Sequence, residues 1–175
     1  MPGSDHVKPA SAGARLTYDD LLLLPDDGLR HELIDGEHYV TAAPNVRHQV
    51  VSGNLYVQIR AWLDVNPIGR VFYAPFDVVL SKFDVVEPDL LYLSRAREAA
   101  VMTPANAQGA PELVIEIGSP STRRRDETIK KRLYERAGVD EYWFVDPEIE
   151  IIRLYRVADG RLARLSSCHW LRATC

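Results

Sequence analysis

Cysteine is scarce in this chain: two among 175 residues, Cys168 and Cys175. Both stand near one end, where a bridge closes only a small loop. The chain therefore lacks the disulfide framework that holds many small secreted domains together. With His169 the two thiols offer three zinc-type ligands at no familiar spacing, so free thiols in a loose terminal segment are expected. Long apolar runs are missing as well. No window approaches the roughly 18 uninterrupted apolar residues of a membrane span, Leu21–Leu24 is far too short, and no membrane partner is expected. Residues 1–14 carry Gly, Pro, Ser and charges without the apolar stretch of a secretory signal. They read as a flexible leader, and a cytoplasmic location is the expectation. A large excess of one charge is absent too. The formal net charge of −4 excludes a protein that coats nucleic acid by bulk electrostatics. It leaves room for local phosphate contact through Arg123-Arg124-Arg125 and Lys130-Lys131-Arg132.

What is present is an ordinary globular composition, 46% apolar and 26% charged, in a length that suits one domain with a sizeable core. Thr17 is a good N-cap for a short helix over Tyr18–Leu24, with Asp19 and Asp20 where the helix dipole favours them. Leu29–Ile34 and Glu37–Thr41 read as strands joined by an Asp35-Gly36 hairpin. Apolar residues at roughly helical spacing predict a helix over Val46–Val65, stopped by Asn66-Pro67-Ile68-Gly69. Strands follow over Arg70–Tyr73 continuing into Phe76–Leu80, Val85–Leu93 and Glu112–Ile117. A helix then runs from about Thr122 to Ala137, with Ile129, Leu133 and Ala137 as its buried stripe and Gly138 as its stop. Glu141–Asp146 and Ile149–Val157 are further strands, and Asp159-Gly160 opens another hairpin. The class is mixed α/β in a single domain spanning 15–157, with 158–175 as an atypical C-terminal tail.

Two carboxylates interrupt this apolar pattern. Asp89 lies inside Val85–Leu93 and Glu116 inside Leu113–Ile117. A buried ionised carboxylate costs several kcal/mol unless something pairs with it. Two on neighbouring strands also repel, so one pKa rises or a cation sits between them. A divalent metal such as Mg2+ meets both demands, with the Ile117 carbonyl as a further oxygen ligand. Lys130, one helical turn from Asp126 and Tyr134, would offset charge or position water beside it. The plainer alternatives are carboxylates at strand ends facing water, an Asp126–Lys130 helical ion pair, and a solvated basic helix face. His48 is either a phosphate contact or a surface histidine. Glu32 is either an assistant to the metal or a strand-edge ion pair.

Taken jointly, certain segments resemble a known group. They are Tyr18-Asp19-Asp20-Leu21, Glu32-Leu33-Ile34-Asp35-Gly36-Glu37, Val86-Glu87-Pro88-Asp89-Leu90, Val114-Ile115-Glu116-Ile117-Gly118-Ser119-Pro120-Ser121-Thr122, and the run from Lys130 to Pro147. They resemble the Uma-two family within the PD-(D/E)XK, or restriction-endonuclease-like, nucleases. The resemblance implies a mixed β-sheet flanked by helices and a Mg2+- or Mn2+-dependent endonuclease acting on DNA. Asp89 and Glu116 would be its metal ligands, Lys130 and Glu32 would assist, and DNA contacts would come from Arg123, Arg124, Arg125, Lys131 and His48. A homodimer is compatible with it. The superfamily's lysine normally stands two places after the glutamate, where this chain has Gly118. Lys130, on the following helix, matches the family's substitute. The runner-up is a nuclease fold without catalysis that binds nucleic acid or a protein. A carboxylate-pair glycosidase leaves the basic helix without a role.

Overall fold

The computed structural model describes residues 15–119 and 122–169, so the expected leader and the last six residues lie outside the described residues. Helix α1 (Tyr18–Leu21) starts where expected. The Thr17 side chain accepts the Asp20 N–H while the Asp20 carboxylate accepts the Thr17 N–H at 2.8 Å, a reciprocal cap. It is one turn long, and Leu22 and Leu23 are exposed. Strands β1 (Arg30–Ile34) and β2 (Glu37–Thr41) pair antiparallel through the Asp35-Gly36 turn, both of whose residues have positive φ. Helix α2 (Val46–Val65) is capped by Asn45, whose Oδ1 accepts the His48 N–H at 2.9 Å.

Next come β3 (Gly69–Tyr73), β4 (Val78–Ser81), β5 (Asp84–Val86), β6 (Leu90–Ser94), α3 (Arg95–Val101), β7 (Ala107–Gln108) and β8 (Leu113–Ile117). The run Val85–Leu93, expected as one strand, is therefore two. Pro88 has no N–H to give a ladder, and the chain changes sheets there. β5 joins a five-stranded sheet in the order β2-β1-β5-β4-β7, whereas β6 joins a six-stranded sheet. Asp89 sits at that junction. The β6–β8 register sets Leu90 opposite Ile115, and one further step along it brings Asp89 opposite Glu116.

The 123–137 segment is helical throughout but not uniformly α. It comprises α4 (Arg123–Arg125), a π-helical segment (Asp126–Lys130) and α5 (Lys131–Ala137), and ends at Gly138 with φ 84°. The wider π turn changes which side chains face inward. The buried residues are Asp126, Lys130, Leu133 and Tyr134, while Ile129, expected in the buried stripe, is 37% exposed. Strands β9 (Glu141–Asp146), β10 (Ile151–Ala158) and β11 (Arg161–His169) complete the six-stranded order β11-β10-β9-β8-β6-β3. β8 and β9 are parallel, as a helical crossover between them allows.

One core lies between the two sheets and the 123–137 helix, built from residues such as Ile34, Val86, Leu93, Leu133, Tyr134 and Phe144. A second lies on the opposite face of the six-stranded sheet, where Val51 of α2 meets Leu90, Ile115, Ile117 and Val145. The alternation Val114, Glu116 against Ile115, Ile117 thus aims Glu116 at the helix and its neighbours at α2. The segment read as a terminal tail contains β11, paired with β10 from Arg161 to His169, with Leu162 buried. Cys168, expected as a free thiol, is disulfide-bonded and buried; Cys175 lies outside the described residues. Among the described residues no helix is long and apolar enough to cross a membrane. The π turn has a measurable consequence. Leu133→Ala is expected to lower stability in urea by about 2–5 kcal/mol, and Ile129→Ala by under about 1 kcal/mol, whereas a regular α-helix would make both costly.

Candidate functional site

At the sheet junction four segments deliver charged side chains into one buried cluster. From β1 comes Glu32, from the β5–β6 link Asp89, from β8 Glu116, and from the π segment Asp126 and Lys130. All five are buried. Lys130 Nζ lies 2.7 Å from Glu32 Oε1 and 2.9 Å from Glu116 Oε1. Tyr134, one turn further on, donates its hydroxyl to the same Glu116 oxygen. Burial alone lowers a lysine pKa; here the charges of Glu116, Glu32 and Asp126 overcome it and raise Lys130 above its usual value. The amine is therefore a permanent cation rather than a proton acceptor.

Asp89 is held differently. Arg30 Nη1 donates to its Oδ1 at 3.0 Å, the Ile117 backbone N–H donates to Oδ2 at 2.8 Å, and His48 Nε2 lies 3.1 Å from Oδ2. Burial works to raise its pKa, yet the His48 bond, the Arg30 and His48 charges and the Ile117 N–H bring it below the ordinary carboxylate value. Glu116 goes the other way. Burial drives it up and Lys130 pulls it back, while Asp126, Asp89 and Glu32 add repulsion, and it is pushed up to about 8. Glu87, beside the cluster, is pushed up to about 7, chiefly by burial against the pull of Arg30. Burial likewise raises Asp126 against Lys130, the Thr122 hydroxyl and Arg125.

Asp89, Glu116, Asp126, Lys130 and His48 line a common cavity of about 230 Å3. His48, weighed as a surface residue, is buried behind Asp89. The basic residues divide. Arg125 turns inward, donating to Thr41 Oγ1 at 2.7 Å and lying 3.4 Å from Glu32 Oε2. Arg123 is bonded to Asp146. Neither is a free contact for a backbone phosphate. Arg124 is exposed. Lys131 does not join the cluster: its amine stands over the Tyr155 ring, 5.0 Å from the centroid. Arg30 was missed from the sequence, although strand alternation puts it on the same face as Glu32.

Gly118 explains the displaced lysine. A Cβ built there would stand 2.5 Å from Phe144 Cζ, so the place two residues after Glu116 has no room for a side chain. The cluster also has an excess of acid. Glu32, Glu87, Asp89, Glu116 and Asp126 face three basic side chains, Arg30, Arg125 and Lys130, and the raised pKa values of Glu116 and Glu87 reflect that crowding of acid. Among the described residues the buried polar atoms without a hydrogen-bond partner are Glu32 Oε2, His48 Nδ1, Arg125 Nε and Asp126 Oδ1, and every one belongs here. No group of three or more His, Cys, Asp or Glu side chains among them is arranged to hold a metal. A divalent ion would thus take Asp89 and Glu116 with backbone and water oxygens, a set that suits Mg2+.

The family model that matches the chain, over residues 18–169, is Uma2, described as "Putative restriction endonuclease". The crystal structure of a putative nuclease belonging to DUF820 from Anabaena variabilis superposes with a TM-score of 0.73 and 20% identity, covering 88% of this chain and 84% of that one. At that identity the likeness shows the fold. The type IIG restriction endonuclease BpuSI aligns at a TM-score of 0.42 with 14% identity, over 70% of this chain and 13% of its own, too loose a match to establish a common fold. No curated protein matches the chain.

Two measurements probe this geometry. Gly118→Ala is expected to cost about 1–3 kcal/mol by overpacking against Phe144, and a neutral result in urea denaturation would refute that contact. In chelator, Glu116 has a folded pKa raised from 4.5 to about 8, so its contribution to stability is complete below pH 4.5 and lost as pH rises through 8. The thermal midpoint of Glu116→Gln is expected to fall less than that of the parent across this window.

Proposed function

From the premise that the chain belongs to the Uma2 family, we propose that it is a Mg2+- or Mn2+-dependent endonuclease that hydrolyses DNA phosphodiester bonds at the Asp89–Glu116–Lys130 cluster. The observation that carries this reading is the burial of four carboxylates, Glu32, Asp89, Glu116 and Asp126, at one point, with every buried side-chain polar atom that lacks a hydrogen-bond partner among the described residues gathered around it. Proteins concentrate such uncompensated groups where a ligand completes them. In this reading Asp89 and Glu116 hold the ion together with the Ile117 carbonyl. The bound ion would supply positive charge to the phosphodiester and its leaving oxygen.

The chain's own residues do the rest. Arg30, His48 and the Ile117 N–H fix the Asp89 carboxylate, so that it meets the ion without reorganising. Lys130 stays protonated, which suits it to hold the attacking water and offset developing negative charge, not to remove a proton. Glu32 sets the direction of the Lys130 amine through Oε1, and its Oε2, which has Arg125 at 3.4 Å but no hydrogen-bond partner, is placed to accept a bond from water. Arg125 orients Glu32, and Arg124 is the arginine of the run that is open to backbone phosphate. In the reaction a water oxygen forms a bond to phosphorus as the bond to one sugar oxygen breaks. The water proton passes to solvent and the leaving oxygen gains one.

The test incubates the purified full chain with supercoiled and linear DNA in Mg2+ or Mn2+. Asp89→Ala and Lys130→Ala are each expected to reduce cleavage by at least about a hundredfold, and chelator to abolish it. Lys130→Met, which keeps bulk without charge, separates loss of chemistry from loss of fold. Cleavage that survives both substitutions, in protein that remains folded by circular dichroism, would overturn the proposal.

A further inference from the structure

Beside the acidic cavity lies a larger one of about 530 Å3. The two share Arg30, Thr41, Pro44, His48 and Asp89 as a common wall. Beyond that wall the larger cavity is bounded by Leu29, Gln49, Ser52, Gly53, Tyr56 and Tyr73. None of these is charged. Its charged lining residues, Arg30, Glu87 and Asp89, cluster at the shared end, and Arg30 is already engaged by Asp89 at 3.0 Å and Glu87 at 4.0 Å. A groove for a sugar-phosphate backbone needs free Lys or Arg, and this one offers none. It offers what a planar uncharged group with hydrogen-bonding edges needs: aromatic rings, small side chains, an amide and a hydroxyl.

Gly53 points the same way independently. It stands in the middle of α2, where glycine weakens a helix relative to alanine. Packing does not require it, since a Cβ at that position would meet no atom within 4 Å. What the glycine keeps open is the cavity wall. One turn along the same helix face is Tyr56, whose ring meets that of Tyr73 edge to face with centroids 4.9 Å apart, and Tyr73 is 58% exposed, an aromatic ring left open beside the cavity.

We propose that this cavity receives one unpaired nucleobase of DNA, next to the phosphate handled at the acidic cluster. The preferred substrate is then DNA with an unpaired or extruded nucleotide rather than intact duplex. The proposal rests on the phosphodiesterase reading of the adjoining cluster. A base inside a duplex reaches the cavity only by leaving its stack and partner, at a cost, whereas an unpaired base is spared most of it. That difference makes the preference.

Binding tests this without relying on turnover. Two short duplexes carry 2-aminopurine at the same position, paired in one and bulged in the other, and are titrated with the full chain in Ca2+. The bulged duplex is expected to bind about tenfold tighter, with its emission quenched by stacking on tyrosine. Gly53→Leu should bring the preference below about twofold while its thermal midpoint stays equal or rises, as loss of a mid-helix glycine implies. Should that variant melt lower than the parent, Tyr73→Ala, at an exposed position, decides in its place by the same loss of preference. Equal binding of both duplexes, or a preference that survives these substitutions, overturns the proposal. If the paired duplex binds equally well and is cut in Mg2+, the nuclease reading stands and this one falls. If neither duplex binds or is cut, both fall.

Discussion

The ammonium group of Lys130, held between Glu32 and Glu116 inside the protein, is the interaction on which the rest of this structure turns. Its two partners come from a strand of the small sheet and a strand of the large sheet, and the lysine itself from the helix that connects β8 to β9. An isolated ionised group so placed would cost several kcal/mol or more, so none of the three elements can withdraw without stranding a charge. The apolar core positions the layers only approximately. The shared lysine gives them a single registration, because an ion pair depends steeply on distance where an oily contact does not.

That registration is not fully compensated. The cluster carries more carboxylate than cation, and its effects are visible in how its members titrate. Asp89 is stabilised as an anion by donors on every side, while Glu116, similarly buried and surrounded by other acids, is pushed up to about 8. Like-charged groups forced together separate in this way. Glu32 Oε2 and Asp126 Oδ1, which have Arg125 at 3.4 and 3.9 Å but no hydrogen-bond partner, belong to the same condition.

The helix shows how a function-bearing side chain can be moved without being lost. Phe144 fills the space beside Gly118, which closes the route by which a lysine two residues after Glu116 would enter. The amine instead arrives from the 123–137 helix, through a π turn that adds one residue to its winding. Asp126, Lys130, Leu133 and Tyr134 share one face even at ordinary helical spacing; what the π turn changes is Ile129, which leaves that face for water. Buried charge and local helix distortion are two aspects of one arrangement.

Much of this was legible in the residues. Asp-Gly at 35–36 dictates a tight turn, Thr17 caps a helix, and β-branched runs mark strands, because each depends on contacts within a few positions. The mixed α/β class, the 46–65 helix and the unusual placement of Asp89 and Glu116 in apolar runs followed from such local chemistry. Other features depended on partners far away in sequence. Pro88 could be seen to interrupt a ladder, but only packing sends the chain from one sheet to the other there. Ile129 fits an inward α-helical stripe until the π turn rotates it toward water. His48 and Arg125 have nothing nearby in the chain to say that they point inward, and for Arg30 only the alternation with Glu32 hints at it; their direction is set by carboxylates 41, 93 and 59 positions away. The sequence by itself determined which segments could fold and which charges would be expensive to bury. Only the tertiary structure decided which charges meet, because pairing is a matter of distances in space that no local preference encodes.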